Sequence, residues 1–418
     1  MNDTKTSHGY WLLIGLTLLN VLNFADRFLL VSFANSIIAD LNLTKFQFTL
    51  LTGLVFSVFY ALFGLFAGSL ADRHHRPRLI AAGLAVWSAL TAATGLAMNF
   101  LHAAMARVFI GVGEAVLTPA SLSMLSDTLP PHRRSLAAAV YYLGIPVGIG
   151  SSFIFAGVLG PILGWRGTFM ALGAVGLVAA LLVLLLTDPK RGGFEPLGPE
   201  AQPIGSFRDS VRGMWHAMRT TPVLVLTLLG GGAAIFVQGA AVLDIVWWVQ
   251  ERGFVEARAQ QITGVIFLTG GILGALIGGF GADAAYKRSK GGRLMFLAVA
   301  YLLVLPVGLA YRLVTPDTAL FYALAFIGSV SFMLPYGALF ATVQEVVPVN
   351  LRGASVALLI LFNTLIGHAC GAALVGYLAD LFATRGMSEP ITWAILVASL
   401  PGLATVPLFY AAARMQAR

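Results

Sequence analysis

Twelve separate stretches of this chain are apolar over about the length that a helix needs to cross a lipid bilayer, and that pattern leaves few folds open. A span takes ~20 mainly apolar residues. Within hydrocarbon every backbone N–H and C=O must be paired inside the segment, which favours helices. The runs cover residues 11–36, 48–71, 79–98, 101–124, 136–159 and 168–187, then 223–249, 262–285, 294–313, 319–343, 354–382 and 391–415. Between the sixth and seventh lies a polar stretch with Pro, Gly and mixed charge (KRGGFEPLGPE), which reads as an exposed linker. The pattern predicts an all-α membrane protein of twelve transmembrane helices in two six-helix bundles. The first bundle is residues 1–187, the linker 188–221 and the second bundle 222–418.

Composition agrees. Only 11% of the 418 residues are charged, whereas a soluble domain carries roughly a quarter. The net charge of +8 sits in short segments between apolar runs, so it reports membrane orientation and not nucleic-acid binding. Eighteen of the 26 Lys and Arg residues lie in the alternate segments that face inward when both termini are inside. Six lie in the opposite segments, and Arg27 and Arg107 lie within spans. That bias predicts cytoplasmic termini. Residues 1–10 precede a long span with no small-residue cleavage pattern, so no signal peptide is expected. Cys370, the only cysteine, has no partner for a disulfide or a metal site. The sequence lacks a Gly-x4-Gly-Lys-Ser/Thr nucleotide loop, a His-Glu-x-x-His pair and a Gly-x-Ser-x-Gly elbow. These absences argue against direct ATP driving and against a membrane enzyme.

The halves repeat. Gly68-Ser-Leu-Ala-Asp72-Arg73 follows the second run, and Gly279-Phe-Gly-Ala-Asp283 follows the eighth. Pro130-Pro131-His132-Arg133-Arg134 follows the fourth, and Pro348-Val349-Asn350-Leu351-Arg352 follows the tenth. Matching signals at matching places suggest a parallel duplication. The loop 68–78 resembles the Gly-x-x-x-Asp-Arg-x-Gly-Arg-Arg signature of the major facilitator superfamily, with His75 at the usual glycine and Pro77 at a basic position. The fourth run, Arg107-Val-Phe-Ile-Gly111-Val-Gly113-Glu114, resembles that family's Arg-x-x-x-Gly-x-Gly pattern. Asn23-Phe24-Ala25-Asp26-Arg27 in the first run, taken with Gly-x-Gly-Glu in the fourth, is similar to the Spinster group. That group is associated with proton-linked movement of lysophospholipids and sphingosine-1-phosphate; organic-anion symporters of the superfamily share the Asn-x-x-Asp-Arg signature. The resemblance implies the major facilitator fold and transport by alternating access.

Four charges stand inside the first half's spans: Asp26, Arg27, Arg107 and Glu114. A charge at mid-bilayer costs ~2.5–3.5 kcal/mol on insertion scales unless it is paired or wet. At ~1.5 Å per residue, Asp26 lies in depth between Arg107 and Glu114. A spacing of seven puts Arg107 and Glu114 on nearly one helix face. Arg107 keeps its proton, so Asp26 and Glu114 are expected to compete for it as a proton switch. Resemblance to Spinster proteins implies the same three positions. A static network that only locks the first helix to the fourth suits the same residues. Arg27 points ~100° away from Asp26 and suits an anionic head group, a carbonyl or a neighbouring helix.

Polar residues in the spans mark further candidates for substrate contact: Asn23, Thr118, Tyr141, Gln238, Tyr336, Asn363 and His368. Each also suits a bond to another helix. Asp244, beside Trp247 and Trp248, fits an interfacial aromatic belt. The resemblance implies that Asp72 gates by meeting the start of the eleventh helix, with Arg73, Arg76, Asp283 and Arg352 as supporting gate residues. The expected protein is a monomeric, proton-coupled secondary transporter in a bacterial inner membrane. It moves an amphiphilic anion such as a lysophospholipid or, alternatively, small organic anions or drugs. No cofactor is expected; the proton gradient supplies the energy.

Overall fold

The computed structural model describes residues 2–191, 207–348 and 351–417, and among them finds helices and no strand. The first half contains α1 (Asn2–Ser32), α2 (Ala34–Asp40), α3 (Lys45–Thr52), α4 (Leu54–Arg73) and α5 (Arg76–Thr94). It continues with α6 (Phe100–Glu114), α7 (Leu117–Thr128), α8 (Pro131–Tyr142) and α9 (Gly144–Val183). The second half contains α10 (Phe207–Thr220), α11 (Pro222–Ala240), α12 (Asp244–Gln250), α13 (Glu256–Tyr286), α14 (Gly292–Ala310) and α15 (Ala319–Val330). α16 (Tyr336–Glu345), α17 (Arg352–Leu361), α18 (Cys370–Thr384), α19 (Pro390–Ala398) and α20 (Thr405–Gln416) complete it.

Local chemistry sets these ends. Thr44 starts α3 with a capping box, accepting from the Gln47 N–H while the Gln47 side chain accepts from its own. His75 and Asn99 cap α5 and α6 through their side chains. The fifth and sixth runs are two helical legs that meet at Gly164, whose φ of 64° only glycine adopts without strain. A π-helical stretch, Phe362–Ala369, joins α17 to α18.

Nine helical stretches among the described residues are long and apolar enough to cross a membrane. They correspond to the twelve runs once three features are recognised. The 48-residue stretch Leu136–Val183 holds two legs on either side of Gly164. α5, rich in Ala, Gly and Thr, is less hydropathic than the others. The tenth run is divided into α15 and α16 by a turn ending at Pro335.

The chain folds into two compact units. One comprises Met1–Leu43, Val55–Gln202 and Glu256–Gly264; the other comprises Thr44–Leu54, Pro203–Val255 and Val265–Arg418. The first packs around Leu16, Leu84, Trp87, Leu117, Met124 and Tyr141. The second packs around Leu224, Leu228, Leu297, Leu339, Leu359 and Phe409. A short piece of each sequence half thus belongs to the other half's unit. In the first unit Ser36 donates to Glu256 at 2.9 Å and the Gln260 amide donates to the Ser32 carbonyl at 2.8 Å. In the second, Asp380 accepts from the Lys45 and Phe46 N–H groups at 3.1 and 2.8 Å, capping α3.

Two expectations are corrected here. Part of the stretch read as an exposed linker is α10, which buries Met214 and Ala217 in the second unit's core. Its residues 192–206 lie outside the described ones. Trp247 and Trp248 are not a lipid-facing belt but fully enclosed, packed with Phe321 and Phe254. Beside them Asp244 accepts from Arg312 at 2.6 Å and from Tyr311 at 3.0 Å. Arg312, at the outer end of the ninth run and counted there with the loop charges, is buried and neutralises Asp244.

Candidate functional site

All four intramembrane charges of the first half come together in the first unit. α1 supplies Asp26 and Arg27, and α6 supplies Arg107 and Glu114. α6 reaches its neighbours closely because Gly113 lacks a side chain: a Cβ there would stand 2.9 Å from the Gly83 carbonyl oxygen and 3.1 Å from the Trp87 nitrogen of α5. That approach seats Trp87 and Glu114 in one layer. Asp26, Arg107 and Glu114 are at most 3% exposed.

The pairing differs from the one expected. Arg27 binds Glu114: its Nη2 and Nε donate to the same carboxylate oxygen at 2.6 and 3.0 Å. Glu114 Oε1 is buried and accepts no hydrogen bond. The Arg27 guanidinium lies over Phe24, Phe56 and Tyr60, each ring centre 4.6–4.8 Å away. Arg107 lies over the same Phe56 at 4.8 Å and is within electrostatic reach of Glu114, Arg27 and Asp26. The Phe56 ring attracts both cations. Two carboxylates and two guanidiniums make the cluster neutral when all are ionised, which limits the cost of burying them.

Asp26 has a partner that sequence reasoning missed. Trp87 of α5 donates its indole N–H to Asp26 Oδ2 at 2.9 Å. Trp87 is fully buried, and Asp26 Oδ1 accepts no hydrogen bond. A tryptophan within an apolar run reads as core, so only its depth opposite Asp26 signals this role. The cluster thus has two free carboxylate oxygens, one on each acid, and each has an arginine nearby. It can hold a proton on either acid, or hold an anion against the partly exposed Arg27, whose side chain is 18% exposed where Glu114 has none.

The other candidates sort by unit. In the first, Asn20 donates to the Tyr141 carbonyl at 2.9 Å, and the Tyr141 hydroxyl lies 3.2 Å from Thr118. Tyr141 is completely enclosed, so it serves packing and not solute contact in this structure. Asn23 is buried next to this layer, its amide nitrogen without a partner. In the second unit Gln238 donates to the Phe332 carbonyl at 2.9 Å. Asn363 and His368 lie in the π-helical stretch, a form frequent at functional sites. The Asn363 carbonyl oxygen is buried without a partner, whereas His368 and Tyr336, which begins α16, are half-buried.

Arg76 is not placed as a surface gate residue. It is fully buried and ties α5 to α7 and to the end of the sixth span. It donates to Asp188 at 2.7 Å, to Asp127 at 2.5 Å, to Ser123 at 3.0 Å and to the Pro189 carbonyl at 2.5 Å. Its chain position, three residues after Arg73 in a basic loop, suggested exposure; the acids that draw it inward are far away in sequence. Arg73 is exposed, and the Asp72 side chain lies outside the described residues. In the second unit Asp283 is 3.5 Å from Arg293, which also holds Glu345 at 2.8 Å. Arg352 is exposed and lines a shallow hollow with Tyr286, Arg293 and Glu345.

The chain is similar to proteins that move solutes across membranes. It is 29% identical over 386 residues to an MFS-type efflux pump of Mycolicibacterium smegmatis, covering 90% of this chain and 87% of that one. It is 26% identical to Protein spinster of Drosophila melanogaster, covering 87% of this chain and 61% of that one. The crystal structure of a bacterial homologue of the human lysosomal transporter Spinster superposes with a TM-score of 0.81 at 24% identity, covering 98% and 96% of the two chains. At that identity the likeness shows the fold. The family profile of the Major Facilitator Superfamily matches residues 16–372, and this chain, an all-helical transporter and not an enzyme, belongs to that family.

Proposed function

We propose that the protein is a proton-coupled secondary transporter that moves an amphiphilic anion, such as a lysophospholipid or sphingolipid, by alternating access. We place it in a bacterial inner membrane as a monomer with both termini in the cytoplasm, as the Lys and Arg distribution supports. The observation that carries the reading is the pair between partly exposed Arg27 and buried Glu114, with Asp26 and Arg107 beside it. A buried pair is costly to keep and costly to break by removing one partner. An incoming anion that takes Arg27 leaves Glu114 without its counter-charge, and a proton then replaces it. Protonation and anion binding are linked through one guanidinium, and rocking of the two halves carries both. The aromatic rings around Arg27 suit a solute with an apolar body next to its charged head.

A second reading, transport of small organic anions or drugs, is favoured by the presence of two arginines against one ring. Uptake of labelled lysophospholipid and of small organic acids into proteoliposomes, with and without an imposed proton gradient, separates the two. The first reading expects gradient-stimulated lysophospholipid uptake that organic acids do not compete away. Stimulated organic-acid uptake without lysophospholipid uptake supports the second, and no response to the gradient removes the proton coupling.

A further inference from the structure

The transport reading leaves α10 without a role. This fourteen-residue helix carries Arg208, Arg212 and Arg219 against a single acid, Asp209. One face packs through Met214 and Ala217 into the core that contains Leu224 and Leu351. The other face leaves Val211 52% and Trp215 54% exposed, four residues apart and therefore adjacent on the helix. Arg212, His216 and Arg219 are exposed beside them, and the Arg219 guanidinium lies 4.7 Å over the Trp215 ring. Only Thr221 separates α10 from Pro222, where the next membrane span begins. At ~1.5 Å per residue that single residue keeps the end of α10 within a few ångströms of the span's end.

The mixture on this face selects its surroundings. A face turned to lipid tails does not carry three ionisable side chains. A face turned to bulk water gains nothing from a tryptophan and a valine left half bare at neighbouring positions. The boundary between headgroups and tails accepts both, because an indole settles there and arginine meets phosphate. Arginine also offers a planar fork that matches two phosphate oxygens.

We propose that the exposed face of α10 docks on anionic phospholipid headgroups, with Trp215 and Val211 seated at the interface and Arg212 and Arg219 on the phosphates. This does not depend on which solute is transported. The test uses the full chain in vesicles of phosphatidylcholine, with and without phosphatidylglycerol, brominating one lipid at a time. The fluorescence lost on going from wild type to Trp215→Phe isolates the signal of this indole. Brominated phosphatidylglycerol is expected to quench that signal more than brominated phosphatidylcholine at the same fraction. Arg212→Gln and Arg219→Gln are each expected to weaken that preference roughly fivefold, with the melting temperature in detergent unchanged. Equal quenching by both lipids, with no effect of either arginine, overturns the proposal, as does absence of quenching. Loss of the preference on adding soluble glycerol phosphate assigns the arginines to free anions and overturns it too.

Discussion

Arg27 both pairs with Glu114 and stacks on three rings, and these two demands explain why a lysine does not suit the position. Lysine lacks the flat fork and the delocalised face. Arg27→Lys is expected to lower uptake about tenfold or more, because a lost buried charge-assisted bond is worth ~1.5–3 kcal/mol; initial-rate measurements in proteoliposomes check this. Trp87→Phe keeps an aromatic body and removes the N–H bonded to Asp26. A donor to a carboxylate favours its ionised form. The variant is therefore expected to change the pH profile of uptake while leaving expression and folding intact. An unchanged pH profile assigns Trp87 to packing alone. The four charges were legible in the sequence because each is costly within an apolar run. Their pairing was not, because the rotation of α1 follows from close packing on residues far away in sequence, such as Gly148, where an added Cβ would stand 2.5 Å from the Val21 carbonyl oxygen.

At the scale of helices, most ends follow local signals, such as Thr44 with Gln47, His75, Asn99 and Pro222. Breaks inside runs were less visible. The turn after α15 and the π-helical stretch both fall inside runs read as single helices, and neither carries a Gly-Pro or charged break that marks its place. α10 escaped because its period is amphipathic and its composition polar, so it reads as linker until the span beside it supplies a surface to pack on. Asp380 caps α3 from far along the chain. Asp380→Ala is expected to destabilise the protein by ~0.5–2 kcal/mol, seen as a lower melting temperature in detergent. Gly164→Ala forces a side chain into a left-handed backbone at a cost of ~1–3 kcal/mol, and the same melting experiment reads it.

Over the whole molecule, twelve apolar runs and a central polar stretch were enough to anticipate a helical membrane protein, since lipid allows few alternatives; transport was anticipated from the motifs of the loop 68–78 and of the fourth run. The exchange of short segments between the units was not visible, because Thr44–Leu54 and Glu256–Gly264 look like ordinary parts of their own halves. Interior charge is also less one-sided than the sequence suggests: the second unit encloses Asp244 with Arg312, yet it has no counterpart to the four-charge layer among its described residues. The proposed coupling device therefore draws on the first unit alone, with Asp26 and Glu114 as the acids it assigns to proton exchange. The most direct measurement compares Asp26→Asn and Glu114→Gln with wild type in proteoliposomes, reading solute uptake under an imposed pH gradient beside solute exchange without one. Both variants are expected to lose the response to the gradient and keep exchange. Gradient-driven uptake that survives both substitutions contradicts a coupling role for these acids.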